Sequence, residues 1–393
     1  MVDYRDFKEI AHSGGTMTFW IERDAEGQFS LQTGWSHSSP TPAAIAGLYA
    51  DLSTGRIVGD FRLGGIGEPF KPPPPDGAVP VMIGSDSHAK WGHMCPRCRG
   101  YFRSEDHPAI HPLTCAYCGC KAPTHAFRTT AQRKYVRHVI EEVAACVSTL
   151  PSGEKREIAI DMDAAGDRES AEPKPQFYYA EQAQQTEFNC EKCGGYNDVR
   201  GRYAYCGCCG WRNNRESFKR EIEGVRERLN AETLTAAGAV RDVVSAFDSC
   251  CRDFAKQVRD RIPMKPARRA ALERPFYDTD GIAMVAMKQA DIDLTRGFGA
   301  DDAALLKLMM HRRHVHEHLG GVVDATYVEA SGDSTAKIGD LLREDQEQTH
   351  RFANLLGKMV ANLDADFHEI FPPTDWPIEY HKKGGDRGRR RIW

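Results

Sequence analysis

The first ninety residues alternate between short apolar runs and glycine-bearing turns. Within each run, apolar and polar side chains follow the two-residue period of a half-buried strand. Strand-like segments lie at 16–21, 29–33, 56–61 and 79–83, and a short helix is predicted over 43–52. The four prolines at 72–75 form a stiff segment that suits a linker better than a partner ligand. The pattern predicts a β-rich N-terminal domain over 1–90, without a catalytic constellation.

Helical periodicity dominates the second half of the chain. From residue 214 onward, apolar residues recur every three to four positions, as on one face of a helix. Helices are predicted over 131–150, 218–229, 235–262, 267–273, 280–296, 301–319 and 335–370, with an extended segment over 322–333. Several such helices in succession bury their apolar faces in a bundle. We therefore predict an all-helical domain over 214–371, in which Cys250 and Cys251 are buried apolar side chains.

The chain has thirteen cysteines, and eight of them form four Cys-x2-Cys hooks in its middle part. Two hooks can place four thiolates around one Zn²⁺ in a tetrahedron, as in a zinc ribbon. The predicted zinc ligands are Cys95, Cys98, Cys115 and Cys118 in the first ribbon, and Cys190, Cys193, Cys206 and Cys209 in the second. The alternatives are Cys120 for Cys118, Cys208 for Cys209, and His93, His107, His111 or His125 in the first ribbon. Both ions are predicted to be structural, although zinc ribbons also bind nucleic acid or protein.

The ribbons divide the region between the strands and the bundle. The first ribbon and the helix after it are predicted to form a domain over 91–150. Residues 157–163 have a strand-like pattern that would place two aspartates on one face, where paired carboxylates bind Mg²⁺. The polar stretch that follows favours a linker, so 151–213 is predicted to be a linker and the second ribbon. The fold class is multidomain α+β: a β-rich N-terminal part, two four-cysteine zinc ribbons and a C-terminal all-α helical bundle.

Charge and hydropathy set limits on the partners. Over 393 residues the net charge is −4 and the pI about 6.4, so any RNA contact has to be local. No apolar run approaches the roughly 20 residues that span a bilayer, and the N-terminus lacks the apolar segment of a signal peptide. We therefore expect a cytoplasmic protein without a membrane partner. Positive charge is concentrated only in the C-terminal tail, 372–393, where it could contact a phosphate backbone.

The stretch 311–318 contains two arginines, four histidines and one glutamate. It ends the helix predicted over 301–319, just before Gly320. Cations at a helix C-terminus often do no more than favour the helix dipole as a solvated end. His314 and His318, four residues apart, have the spacing of a metal-binding pair, but the order of residues is not the His-Glu-x-x-His of zinc proteases. Both interpretations stay open on the residues alone.

The same stretch shows a family resemblance. Arg313-x4-His318, with His314 directly after the arginine, resembles the Arg-x4-6-His motif of the HEPN superfamily. Many HEPN proteins are metal-independent RNases of toxin–antitoxin, CRISPR-associated and other anti-phage systems. The resemblance covers about residues 215–370 and implies that Arg313 and His318 form the catalytic pair, with His314 either contacting the substrate or supporting the catalytic residues from behind. Arg312-x5-His318 also satisfies the motif, so the sequence leaves open which arginine acts.

The resemblance also implies a mode of action. The ribose 2′-OH attacks the phosphorus, and two protomers bring their Arg and His together, so a homodimer or higher homo-oligomer acts on an RNA substrate. Glu317 would orient an arginine, while the ribbon half would sense a trigger, hold RNA or restrain the bundle, with room for a regulatory protein partner. One alternative is a non-catalytic ribbon-and-bundle scaffold that binds nucleic acid. Another is a metal hydrolase that uses His311, His314 and His318.

Overall fold

The computed structural model of the chain divides into two compact units. It describes residues 15–37, 45–61, 72–85, 90–105, 112–162, 164–165 and 186–383. The N-terminal unit comprises Met1–Trp211 with Thr374–Trp393, and the helical unit comprises Arg212–Pro373. The helical unit corresponds closely to the predicted 214–371, whereas the boundaries predicted at 90 and 150 fall inside the N-terminal unit. Among the described residues, no helix combines the length and the apolar character that crossing a membrane requires.

Two three-stranded antiparallel sheets form the first part of the N-terminal unit. The strands of this unit are β1 (Gly15–Arg23), β2 (Phe29–His37), β3 (Ile45–Asp51), β4 (Ile57–Phe61), β5 (Ala78–Gly84), β6 (Lys90–Met94), β7 (Tyr101–Glu105), β8 (Leu113–Thr114), β9 (Lys121–Ala122), β10 (Lys155–Asp161), β11 (Thr186–Asn189) and β12 (Tyr196–Val199). One sheet has the order β10-β1-β2 and the other β4-β3-β5. The four strands predicted from alternation correspond to β1, β2, β4 and β5. Inward-facing residues of β1, β3 and β5 share one apolar core.

Helix α1 (Thr130–Thr149) completes this core. A capping box between Thr129 and Gln132 satisfies backbone groups at its first turn. Its apolar side, which includes Tyr135 and Val139, is fully buried among residues of β1, β3 and β5. The Tyr135 hydroxyl donates to the carbonyl of Met82 on β5 at 3.3 Å. The helix predicted over 131–150 therefore belongs to the core of the N-terminal sheets rather than to the first ribbon.

Strand β3 replaces the short helix predicted over 43–52, so that prediction was wrong. Alanine and leucine favour a helix locally, but β3 pairs with β4 on one side and with β5 on the other. Gly47 lies against the ring of Phe61, where an added Cβ would come within 2.4 Å of a ring carbon. Strand pairing and this close ring contact override the local helix preference.

Strand β10 occupies part of the linker predicted over 151–213. It pairs antiparallel with β1, from Lys155 opposite Glu22 to Asp161 opposite Thr16. The Asp161 carboxylate accepts a hydrogen bond from the Ala164 N–H at 2.7 Å, while residue 163, the second carboxylate of the Mg²⁺ alternative, lies outside the described residues. The alternation of apolar and polar residues within 157–161 thus indicated the strand correctly, whereas the polar stretch after it had favoured a linker.

Seven helices are described in the helical unit. They are α2 (Asn214–Asn230), α3 (Ala236–Arg261), α4 (Pro266–Ala271), α5 (Ile282–Lys288), α6 (Ala300–His318), α7 (Ala325–Ser331) and α8 (Gln346–Ile370). The long helices α2, α3 and α8 bury apolar faces, and the rings of Phe254 and Phe367 meet edge-on at 4.9 Å. Helix α7 corrects the extended segment predicted over 322–333, because Asp324 caps its start and Gly332, at φ 77°, ends it.

Helix α9 (Asp375–Lys382) lies in the N-terminal unit, within the region predicted as a basic tail. Residues 384–393, which carry four arginines of that tail, lie outside the described residues. The predicted tail is therefore helical over 375–382.

Candidate metal centres and a candidate catalytic helix end

The first candidate metal centre lies at two hooks, one after β6 and one between β8 and β9. The Sγ atoms of Cys95 and Cys118 are 3.7 Å apart, and those of Cys98 and Cys115 are 3.6 Å apart. The first cysteine of each hook also receives backbone donors: the Arg97 N–H lies 3.4 Å from Cys95 Sγ, and the Tyr117 N–H lies 3.4 Å from Cys115 Sγ. Such N–H···S bonds favour the thiolate over the thiol, and the thiolate is the state that binds a metal.

The second centre repeats this arrangement. The Sγ atoms of Cys190 and Cys209 are 3.7 Å apart, and those of Cys193 and Cys206 are 3.6 Å apart. Ile378 of α9 packs on the cysteines and closes the centre on its apolar side. The second centre therefore shields its sulfurs with a helix from the C-terminal end of the chain.

Both groups fit a tetrahedral ion. Four sulfurs held at about 2.3 Å from one zinc ion are about 3.8 Å from each other. The observed separations of 3.6 and 3.7 Å come close to this edge. The eight predicted cysteines therefore form two groups that could each hold a metal ion, with all ligand atoms of a group within 4.8 Å. The alternatives Cys120 and Cys208 lie outside both groups.

Two of the four histidine alternatives have other partners in the structure. His93 Nε2 lies 2.9 Å from the hydroxyl of Ser104, and His125 Nδ1 lies 2.9 Å from the carboxylate of Asp60. His107 and His111 lie outside the described residues. The described histidines thus leave the first centre to its four cysteines.

A left-handed residue follows the second cysteine of every hook. The four residues at this position are Arg99, Gly119, Gly194 and Gly210, with φ of 60°, 65°, 70° and 79°. Glycine adopts this conformation without a steric cost, whereas the Cβ of Arg99 makes it unfavourable there. The first hook is therefore the one strained turn of the four.

One sheet carries both centres. Its strand order is β11-β12-β7-β6, and β12 of the second ribbon pairs with β7 of the first. Across this seam Arg103 Nη1 lies 3.2 Å from Asp198 Oδ2, and both side chains are buried. The ribbons predicted in separate domains are therefore one folded element.

The last turns of α6 hold a buried ion network. Arg312 lies between two carboxylates: its Nη2 is 3.0 Å from Asp333, and its Nη1 is 3.3 Å from Glu344. Glu344 also accepts from His316 Nε2 at 2.7 Å. The Glu344 side chain is fully covered. Arg312 and His316, one turn apart on α6, are thus tied to the segment between α7 and α8.

The electrostatics of this network follow from its charges. Burial would raise the pKa of Asp333, but hydrogen bonds from Thr335, Tyr327 and Arg312 outweigh it and hold the pKa well below its usual range. Burial and the hydrogen bond to Asp333 raise the pKa of Tyr327 to about 12. Burial opposes the charge of Arg312, yet Glu344 and Asp333 raise its pKa above the ordinary value. Arg312 and Asp333 therefore stay charged at neutral pH.

The predicted catalytic side chains lie outside this network. The guanidinium of Arg313 stacks over the ring of Tyr277 at 4.2 Å. Within the described residues Arg313 has no carboxylate partner, and its buried Nε donates no hydrogen bond. His314 and His318 are exposed, with ring centroids 4.7 Å apart. One guanidinium and two imidazoles are therefore available to a ligand at the end of α6.

Two titratable groups at or near this helix end, His311 and Asp248, have shifted pKa values. Burial, Lys307 and His314 together lower the pKa of His311, which therefore favours its neutral form. Burial raises the pKa of Asp248, and the positive charges of Arg252 and Arg313 oppose the rise. The half-buried guanidinium of Arg313 therefore interacts electrostatically with one buried carboxyl group, that of Asp248.

Sequence reasoning missed the carboxylates that hold an arginine. Glu317, expected in that role, is exposed and pairs with no arginine in the described part of the chain. Asp333 and Glu344 take the role instead, for Arg312. They lie 21 and 32 residues beyond Arg312, so helical spacing gave no signal for either.

Comparison with protein-family models, curated proteins and solved structures gives no match for this chain.

Proposed function

We propose that the helical unit is a metal-independent endoribonuclease of HEPN type, with Arg313 and His318 as the catalytic pair and His314 as a substrate contact. One observation supports this choice most: Arg312 is held by two carboxylates, whereas Arg313 pairs with none in the described part of the chain. His314 and His318 are exposed on the last turns of the same helix. Of the two arginines that fit the motif, Arg313 is thus the one free to bind a phosphate. We also propose that the bundle has the HEPN fold.

The chemistry needs a proton acceptor, a proton donor and a positive charge. An imidazole takes the proton of the ribose 2′-OH as its oxygen attacks the phosphorus, and the P–O5′ bond breaks. A protonated imidazole gives a proton to the leaving 5′ oxygen, which leaves a 2′,3′-cyclic phosphate and a 5′-hydroxyl. The guanidinium of Arg313 donates to the non-bridging oxygens, where negative charge develops. In the dimer that we propose, the second copy supplies a further Arg and His.

We assign a structural zinc ion to each of the two four-cysteine groups. Four thiolates at tetrahedral spacing suit Zn²⁺ better than a hard cation. The ions would fix the hooks and the four-stranded sheet, with no part in the cleavage. We place the protein in anti-phage defence or a toxin–antitoxin-like system, where an RNase is restrained until it is needed. Expression of the wild type but not of His318→Ala should then slow host growth.

RNA cleavage by the purified full-length protein tests the catalytic assignment. In magnesium-free buffer with EDTA, we expect cleavage that leaves cyclic phosphate ends, detected by mass spectrometry of the fragments. Arg313→Ala and His318→Ala should each lower the rate by about 10²-fold or more, the usual contribution of a positioned acid–base group or charge. The matched controls Arg241→Ala and His350→Ala change the same residue types elsewhere in the helical unit and should keep the rate. The zinc content of the protein is measured before and after the incubation with EDTA, so that loss of the structural ions is recognised.

Other outcomes favour the rival functions. Intact RNA with a gel shift would support the non-catalytic scaffold. Activity that is lost with chelation and restored by Zn²⁺ or Mn²⁺, and that depends on His311, His314 and His318 together, would support a metal hydrolase. Cleavage that the His318→Ala variant retains would overturn the assignment of the catalytic pair.

A further inference from the structure

The segment between α4 and α5 brings one aromatic ring against the proposed catalytic arginine. The ring centroid of Tyr277 lies 4.2 Å from the guanidinium carbon of Arg313, which lies over the ring face. A guanidinium at this distance is attracted by the negative face of the ring. Within the described residues the guanidinium makes no hydrogen bond or ion pair besides this contact, and its buried Nε has no acceptor. The ring is therefore what holds the Arg313 guanidinium in place.

A ring holds a guanidinium in a different way from a carboxylate. The N–H donors of a guanidinium lie in its plane, so a ring stacked on its face leaves them available. A carboxylate accepts hydrogen bonds from those same donors, as Asp333 and Glu344 do at 3.0 and 3.3 Å from the Nη atoms of Arg312. Tyr277 can thus orient Arg313 without occupying the donors that a phosphate would need.

The position of the Tyr277 ring is itself fixed on both sides. Phe276, the preceding residue, is almost fully buried, and its backbone N–H donates to the carboxylate of Asp248 on α3 at 2.7 Å. Arg274 and Asp278 flank the ring in sequence and form a partly exposed ion pair at 3.0 Å. Hydrogen bonds that a carboxylate accepts are among the stronger ones, whereas exposed ion pairs contribute little. The contact with α3 is therefore the firmer of the two anchors.

We propose that Tyr277 is a positioning residue for the cleavage reaction: its ring fixes the guanidinium plane of Arg313, and Asp248 fixes the ring through the backbone of Phe276. This inference rests on the proposed function of Arg313. A donor that is oriented before the substrate binds needs no reorganisation when negative charge develops on the phosphate. The proposed site thus depends on two elements outside 311–318, the segment between α4 and α5 and helix α3.

Steady-state RNA cleavage by the full-length protein in EDTA tests the role of the ring. Tyr277→Leu keeps a large apolar side chain but removes the ring. It should lower kcat/KM by about tenfold or more, because a small misplacement of a catalytic group costs up to about 10²-fold. Tyr277→Phe keeps the ring and should restore most of the wild-type rate. The matched control is Phe371→Leu, which removes the ring under Arg261 at 3.9 Å elsewhere in the helical unit and should cleave as the wild type does. Thermal unfolding of each variant checks that it folds.

Two further comparisons separate positioning of Arg313 from general support of the fold. In the Arg313→Ala background, Tyr277→Leu should lower the residual rate no further, since the ring then has no guanidinium to hold. A ring that only stabilised the bundle would lower the rate in both backgrounds, which would contradict the proposal. Asp248→Ala should lower the rate as Tyr277→Leu does, whereas Asp248→Asn, which keeps an oxygen acceptor for the Phe276 N–H, should restore most of it.

The NMR signal of the Arg313 Nε–Hε group reports on the stacked ring without any cleavage. A proton over the face of an aromatic ring is shifted upfield, and the Arg313→Lys variant identifies the signal by its absence. We expect the upfield shift in the wild type and in Tyr277→Phe, and its loss in Tyr277→Leu. An unchanged signal in Tyr277→Leu, or wild-type cleavage by this variant where Arg313→Ala has lost cleavage, would overturn the proposal. Wild-type cleavage by Arg313→Ala would instead overturn the proposed catalytic pair, a result distinct from both.

Discussion

The four-stranded sheet around the cysteines and the helical bundle hold themselves together by different means. The sheet has strands as short as the four residues of β11 and β12, and its core includes the cysteines themselves. The bundle has helices of up to 26 residues with continuous apolar faces. A small β element cannot bury enough apolar area to fold alone, and a metal ion held by each four-cysteine group would supply the missing free energy. A bundle of long amphipathic helices has no such need.

The largest effect is expected on metal removal, which should unfold the four-stranded sheet and leave the helical bundle folded. Structural zinc contributes on the order of 10 kcal/mol to the folding of small metal-bound domains. Stripping with a strong thiol-competing chelator should remove amide protection from β6, β7, β11 and β12 and leave α3 and α8 protected, as measured by hydrogen exchange. Equal loss of amide protection in the sheet and the bundle would contradict this difference between them. Unchanged protection in both would show that the sheet folds without metal.

The bundle should be most sensitive at its buried ion network. Glu344→Ala leaves Arg312 and His316 without their shared carboxylate, and breaking such a buried pair costs roughly 3–5 kcal/mol. Urea unfolding, followed by helical circular dichroism, should show this loss. Glu329→Ala, which removes an exposed carboxylate from α7, should change the free energy of unfolding by less than about 0.5 kcal/mol. Equal stability of the two variants would contradict a structural role for the network.

Acid should weaken the same network through Asp333. Because its pKa is lower in the folded protein than the unfolded value of about 3.9, its contribution is fully present above about pH 4. That contribution is lost as the pH falls through the lower folded pKa. The difference in unfolding free energy between wild type and Asp333→Asn should therefore be constant from about pH 5 to 7 and shrink below about pH 4. A difference that grows on acidification would have the wrong sign.

The smallest effect is expected at the strained hook. Arg99→Gly should relieve the cost of a left-handed arginine beside Cys98 and raise the stability of the metal-bound sheet by less than about 1 kcal/mol. Thermal unfolding of the zinc-loaded protein measures this. Gly119→Ala at the equivalent position of the second hook, with φ 65°, should have the opposite sign. Destabilisation by both variants would show that the Arg99 side chain contributes more than its backbone costs.

Local sequence patterns predicted the structure correctly where both partners of an interaction lie close together in the sequence. The hooks at Cys95/Cys98 and Cys206/Cys209, the alternation in β1 and the long periodicity of α3 are of this kind. Local patterns failed at β3, where pairing on both sides decides the structure. At 322–333 the capping residues Asp324 and Gly332 were a local signal for α7 that apolar periodicity alone did not use. Glu317 was the nearest carboxylate in sequence to the arginines, but its exposed side chain pairs with neither.

The amino-acid sequence by itself determined the eight cysteines, their grouping into two sets of four, and the helical second half, because hook spacing and helical period are short-range properties. Only the tertiary structure decided that both four-cysteine groups share one sheet and that α1 and β10 complete the N-terminal core. It also decided that Arg312 is bound by Asp333 and Glu344 while Arg313 is not. Such contacts join residues that are 21 positions apart in the ion network and 137 apart between β1 and β10. No local period encodes which distant side chains will meet.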